Sequence, residues 1–295
     1  MRVPETNPTV VVLTALSLEY EAVLGHLDDD VRKRVHEQYG TRAEVARLPG
    51  TPWDVALVEM GEGALTAAAF TERVVTWLKP QAVIFVGVAG SLKKDIPVGD
   101  VVIATKVYGI HGGKETPKGF LVRPEAWHSS HRLEQAARHA LRRDPHVHFK
   151  PIATGDVVLA SARSALMEHL RTHYNDAAAI EMEGAGVVQA VELAGGDALV
   201  IRGISDRANA AKSRKDEEGW QPRAAENAAA AAVAVLRELM PFRGRSEGSG
   251  SESGGDAEDS EEGPHQGATY GGDHLDFRGS TFNGPFVAKR VDRER

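Results

Sequence analysis

Residues 177–206 read AAAIEMEGAGVVQAVELAGGDALVIRGISD, and their pattern points to one fold class. A short apolar run stops on two carboxylates, Glu181 and Glu183, with Met182 between them. Residues two apart on a strand share a face, so a continuing strand directs both acids to one side. The small residues Gly184, Ala185 and Gly186 then open an apolar-periodic segment, residues 187–193, that reads as a helix ended by Gly195 and Gly196. A second apolar strand, residues 198–204, runs into Ser205 and Asp206. Two strand ends thus deliver carboxylates to one rim of a sheet, the rim at which open α/β sheets bind ligands.

The composition narrows the function classes. The 295 residues carry 35 Lys and Arg against 42 Asp and Glu, a formal charge of −7. Residues 244–295 hold 11 acidic and 6 basic side chains, which is −5 of that total. The body is therefore nearly neutral, which does not suit a nucleic-acid partner. The absence of cysteine excludes a disulfide framework and a thiolate metal site, and fits a cytoplasmic protein. Twelve histidines lie without metal-ligand spacing, so no metal is expected. Arg2 is the one basic residue before an apolar run that ends at Glu19 and Glu21, a poor signal peptide, and no run reaches the length of a membrane span.

Outward from the central stretch, residues 9–16 read as a strand buried on both faces, with Ser17 placed to cap the following helix and Glu19 in its first turn. Residues 42–48 and 54–59 read as strands joined by a Pro-Gly turn, and Gly61-Glu62-Gly63 opens a helix over 64–78, a turn whose free N–H groups favour an anion. Residues 82–86 form the clearest central strand, ending in Gly87-Val88-Ala89-Gly90-Ser91, where two glycines let backbone approach a ligand. A strand over 101–108 leads into a Gly- and Lys-rich loop to Phe120, of the kind that makes a lid. A helix over 131–141 and a strand near 152–156 follow, then Val157-Val158-Leu159, and an Ala- and Val-rich helix over 224–239 closes the body. Lys212, Arg214 and Lys215 could accept phosphates or simply face solvent.

IEMEGAG, followed about twenty residues later by VIRGISD, resembles the ribose- and purine-binding segments of the nucleoside phosphorylase and nucleosidase superfamily, and in particular the methylthioadenosine/adenosylhomocysteine nucleosidases. The resemblance extends over about residues 9–239. It implies an α/β fold, a three-layer α/β/α sandwich on a central mixed sheet, and a homo-oligomer, dimer or hexamer, without cofactor. Carried over residue by residue, Glu19 activates the attacking water, with Glu21 the competing choice. Arg202 helps to hold that water, and Asp206 gives a proton to the purine. Glu183 accepts from the ribose hydroxyls and Met182 packs on the ribose. Val158 walls the adenine and Leu159 offers backbone groups to its edge. Gly87, Val88 and Gly90 stand in the family's GSAGG segment, where Val88 replaces a serine that helps to hold water or phosphate. That replacement points to hydrolysis over phosphorolysis. The expectation is cleavage of the N-ribosidic bond of an adenine nucleoside or nucleotide, ATP included. The competing readings are a phosphate-dependent phosphorylase and a silent nucleotide-binding module.

After residue 243 the composition changes. Residues 244–272 hold 9 Gly, 5 Ser and 7 acids against one basic residue, and read as a flexible linker that separates a catalytic domain, 1–243, from a terminal segment, 273–295. DHLDFRGSTFNGPFVAKR, at 273–290, resembles the amyloid-signalling motifs that bacteria attach to effector domains. The resemblance implies a receptor with a matching motif, and a role in bacterial conflict or cell death.

Overall fold

The computed structural model describes residues 7–117, 119–157, 164–208 and 214–242, with side chains in the last segment described from residue 219. Val158, Leu159, Lys212, the side chains of Arg214 and Lys215, the linker at 244–272 and the motif at 273–290 lie outside the described residues.

Alternation within the first strand sets the layers. In β1 (Thr9–Thr14), Val11 and Leu13 pack into one apolar cluster, while Val10 and Val12 pack into another on the opposite face of the sheet. β4 (Asp54–Glu59) and β5 (Val83–Ser91) pair with it in parallel on either side. The first cluster is covered by α2 (Ala64–Leu78), through Ala67, Val74 and Leu78, and by α5 (Gly184–Leu193), through Val187, Val188 and Val191. The second is covered by α1 (Ser17–Leu24), α3 (His131–Leu141) and α6 (Arg214–Glu238). This is the three-layer sandwich on a mixed sheet that the sequence led us to expect.

The sheet order continues from β5 to β12 (Ala198–Arg207, parallel), β6 (Val101–Gly109, antiparallel), β10 (Val147–Thr154, parallel to β6) and β11 (Ala179–Glu181). β11 returns to β5, pairing Ile180 with Gly90 and Ala179 with Ser91, so five strands close on themselves. Closure removes the edge that β11 would otherwise expose. At the far end, Trp53 is fully buried and its indole N–H donates to the carbonyls of Leu236 and Leu239 at 3.0 and 3.1 Å, satisfying acceptors that the end of α6 leaves free.

Several expectations need correction. The run Gly87 to Ser91 is not a turn after a strand but the second half of β5, held in register by residues 202–207 of β12. Glu181 and Glu183 do not share a strand face, because β11 ends at Glu181 and Glu183 is the N-cap of α5. Ser17 does not cap α1; its hydroxyl donates to Glu59 at 2.8 Å. The lid-like loop is a hairpin of β7 (Gly113–Thr116) and β8 (Gly119–Val122). The edge strands β2 (Arg32–Val35) and β3 (Arg42–Arg47), β9 (Glu125–His128) and α4 (Ala165–His173) complete the described elements.

Candidate active site

Glu19 is fixed by its own turn. One carboxylate oxygen, Oε2, accepts from the N–H groups of Ala15 and Leu16 at 2.9 and 3.0 Å, where the chain leaves β1 and enters α1. The other, Oε1, accepts from the Val88 N–H at 2.8 Å. The group is 2 % exposed, and burial pushes its pKa above the usual carboxylate range against the opposing pull of Arg202 and the three N–H donors. Glu21, the competing choice, is exposed.

The glycines of β5 make room for side chains rather than for a ligand alone. A Cβ at Gly87 would lie 2.0 Å from Arg202 Nη1 and 2.6 Å from Glu19 Oε1, and one at Gly90 would lie 2.8 Å from Asp206 Oδ1. Any larger residue at either position displaces a group of the site. Val88 contributes through its backbone N–H, which the loss of a serine hydroxyl does not touch.

Arg202 stands behind the cleft, 1 % exposed, with its guanidinium 3.7 Å from the Phe85 ring centroid. Its Nη2 donates to Glu181 Oε2 at 2.5 Å and lies 3.9 Å from Glu183. Glu181 is the residue to which the sequence assigned no role. Its oxygens also accept from the Glu183 and Gly184 N–H groups at the start of α5 and from the Thr154 hydroxyl. It is a buried anchor, with every partner supplied by the protein.

Glu183 takes the Gly63 N–H at 2.9 Å on Oε1. The anion favoured by the Gly61–Glu62–Gly63 turn is therefore the chain's own carboxylate. Its pKa is pushed up to about 6, chiefly by burial, with Arg202 opposing and the neighbouring Glu181 and Glu19 adding to the rise.

Asp206 reaches the cleft from β12 after a register shift between Ile204 and Asp206. The extra residue, Ser205, is buried and its hydroxyl donates to Asp206 Oδ2 at 3.0 Å. A bulge of this kind re-aims the side chain that follows it.

Together these elements enclose a cavity of about 180 Å³, to which Glu19, Val88, Gly90, Met182, Glu183 and Asp206 all contribute. Arg202 and Gly87, which the resemblance places at the water and the substrate, do not line it; Arg202 instead bonds Glu181. Val157, at the edge of the segment outside the described residues, lines it, as do Glu62 and Gln221, which the sequence did not single out. Five acids line the cavity and, among the described residues, no Lys or Arg does. Such a lining stabilises positive charge developing on a bound molecule, while Asp206, on a separate strand, is placed to handle a proton. Among the described residues no group of three or more His, Asp or Glu is arranged to hold a metal, and no helix is long and apolar enough to cross a membrane.

Residues 9–237 match the sequence profile of the phosphorylase superfamily. The chain is 28 % identical over 208 residues to a 5'-methylthioadenosine/S-adenosylhomocysteine nucleosidase of Chromohalobacter salexigens, covering 67 % of this chain and 83 % of that one. It is 28 % identical over 243 residues to the ATP nucleosidase Cap17 of Escherichia coli, covering 70 % of this chain and 47 % of that longer protein. Among solved structures it superposes on the 5'-methylthioadenosine/S-adenosylhomocysteine nucleosidase of S. pneumoniae, bound to a transition-state inhibitor, with a TM-score of 0.68 and 26 % identity, covering 79 % of this chain and all of that one.

Proposed function

Because the chain belongs to the phosphorylase superfamily, we propose that it is a nucleosidase that hydrolyses the N-ribosidic bond of an adenine nucleoside or nucleotide and releases adenine. The observation that carries this reading is the pairing of Glu19, clamped by three N–H donors, with Asp206 across one acid-lined cavity. Breaking the bond leaves positive charge on the sugar and negative charge on the base. Glu19 takes a proton from water, the other acids stabilise the sugar cation, and Asp206 gives a proton to the departing purine. Arg202 keeps the buried acids from repelling one another. Glu183 accepts from the ribose hydroxyls with the capacity that Gly63 leaves free.

Water, not phosphate, is the nucleophile in this reading. Val88 brings no hydroxyl, the Gly63 N–H is held by Glu183, and an added dianion would face five carboxyl groups. The same lining favours an uncharged 5′ substituent. A triphosphate needs cations from outside the described lining, and Lys212, Arg214 and Lys215 are the candidates. Turnover of adenosine, methylthioadenosine, AMP and ATP, each followed as free adenine, tests the proposal. Adenine from none of the four would overturn it.

Two expectations accompany this reading. Glu183→Gln weakens ribosides relative to 2′-deoxyribosides, because losing a charge-assisted bond costs about 1.5–3 kcal/mol, or about ten- to a hundredfold. Equal losses for both sugars count against that role. The kcat/KM falls as pH drops through about 6 rather than 4.5, since the raised pKa of Glu183, and the upward shift of Glu19, mean that protonation begins earlier. The sign follows from the roles: both act ionised, so activity is present above the raised pKa and lost below it. A flat profile down to pH 4.5 contradicts it.

The conflict-effector role belongs to the same proposal and rests on the terminal motif and on the similarity to the ATP nucleosidase. Residues 273–295 fused to a soluble carrier form fibrils if the motif assembles, and a carrier that stays monomeric with and without seeds removes that role. A homo-oligomer through the catalytic body is part of the same proposal, and light scattering that returns a monomer mass rejects it.

A further inference from the structure

The described residues contain a second cavity, larger than the catalytic one at about 480 Å³. It is formed by the loop 97–100 between β5 and β6, the end of α3, the start of β10 and the middle of α6. α6 turns different side chains to the two cavities: Gln221 lines the catalytic cleft, while Trp220, Arg223 and Asn227 line the second.

The chemistry of this second cavity is distinct. Val98, Val101, Leu141 and Val147 give it apolar surface, and the Trp220 indole offers an aromatic face. Two acids line the cavity and both already have partners in the protein: Asp100, 5 % exposed, is hydrogen-bonded to His146 Nδ1 at 2.9 Å and His148 Nε2 at 2.7 Å, and Asp144 accepts the His146 backbone N–H at 2.9 Å. Arg223 is exposed, with its guanidinium 5.2 Å from the Trp220 ring centroid and no carboxylate within ion-pair distance among the described residues. An apolar floor, a ring face and an exposed guanidinium beside it at the mouth complement a flat ring that bears a negative charge.

The same elements hold the catalytic strand. The Gly99 N–H donates to the Ile204 carbonyl, and the Ile204 N–H to the Asp100 carbonyl, each at 2.8 Å, two residues before Asp206. Asn227 Nδ2 donates to the Gly99 carbonyl at 2.7 Å, tying α6 to that loop. A molecule that presses on Trp220 or on the 97–100 loop therefore acts on the end of β12 that carries Asp206, and on the turn of α6 that carries Gln221.

We propose that this cavity is an effector site for a small planar aromatic anion, coupled to the catalytic cleft through the 97–100 loop and α6. The probe is 8-anilinonaphthalene-1-sulfonate, titrated into the full-length protein. The expected result is saturable binding that Ala230→Trp, at an exposed lining position, weakens more than about tenfold by filling the space. Arg223→Gln weakens it several-fold through lost charge alone. Adenine does not displace the probe, yet each changes the other's affinity by one shared factor of at least about threefold, as linkage requires. Probe binding unchanged in both folded variants, or a probe competed out by adenine, overturns the site. Identical adenine affinity with and without saturating probe overturns the coupling. The binding arm does not depend on the reaction proposed above, so failure of that reaction and failure of this site give different results.

Discussion

Asp206→Asn lowers kcat for adenine release by about 10²–10⁴-fold while leaving the affinity for adenine within a few-fold of wild type, the range expected when a positioned proton donor is lost. Asparagine preserves the size of the side chain and can still bond to the Ser205 hydroxyl, 3.0 Å from Asp206 Oδ2 in the wild-type protein. Gly90 opposite makes room for a side chain of this size, since a Cβ there would sit 2.8 Å from Asp206 Oδ1. What the variant lacks is a proton to give to the purine as the bond breaks. An interaction made only in the transition state shows in kcat rather than in KM. Wild-type turnover by the variant removes Asp206 from the mechanism.

Glu19→Gln produces a loss of the same order, about 10²–10⁴-fold in kcat, because an amide cannot take a proton from water. Its structural cost runs two ways. Three N–H groups point at the Glu19 carboxylate, two at Oε2 and one at Oε1, and an amide must turn its NH₂ towards at least one of them. An unmet buried donor costs about 1–3 kcal/mol. Against that, a neutral side chain removes the burial of a charged carboxylate that raises the Glu19 pKa. The two effects oppose each other, so the thermal midpoint moves little while turnover collapses. A variant that keeps its turnover, with its fold intact by circular dichroism, shifts the base to another group.

Where burial follows periodicity, the sequence was informative. The helices over 64–78 and 131–141 and the strand over 54–59 have the bounds read from their apolar spacing. Where tertiary pairing overrides local preference, it was not. Gly87 to Ser91 has poor strand propensity, yet β12 pairs with every one of those residues. β2 is RKRV with all four residues exposed, so it carries no hydrophobic signal and is held by pairing with β3 and by the Arg32–Asp54 ion pair at 2.7 Å. α4 was hidden by a modest apolar stripe, although Ser164 marks its start by accepting the Met167 N–H at 3.1 Å.

The site divides in the same way. The acids at 19, 183 and 206 stand out because carboxylates end apolar runs. That Glu181 is an anchor was not legible, because its role depends on bending back onto the N–H groups of Glu183 and Gly184 and on meeting Arg202 from another strand. The preference for Glu19 over Glu21 was a matter of resemblance until burial separated the two. The Gly61-Glu62-Gly63 turn was read for its N–H groups alone, and the Glu62 side chain, exposed yet lining the cavity, was given no role.

The central claim is that water attacks the N-ribosidic bond in an acid-lined cleft. The most direct test is incubation of the purified protein with methylthioadenosine in phosphate-free buffer and in buffer with inorganic phosphate, with all products identified by mass. Free adenine and the free methylthio sugar at the same rate in both buffers is the predicted result. Adenine release that requires phosphate and yields a sugar 1-phosphate would contradict it.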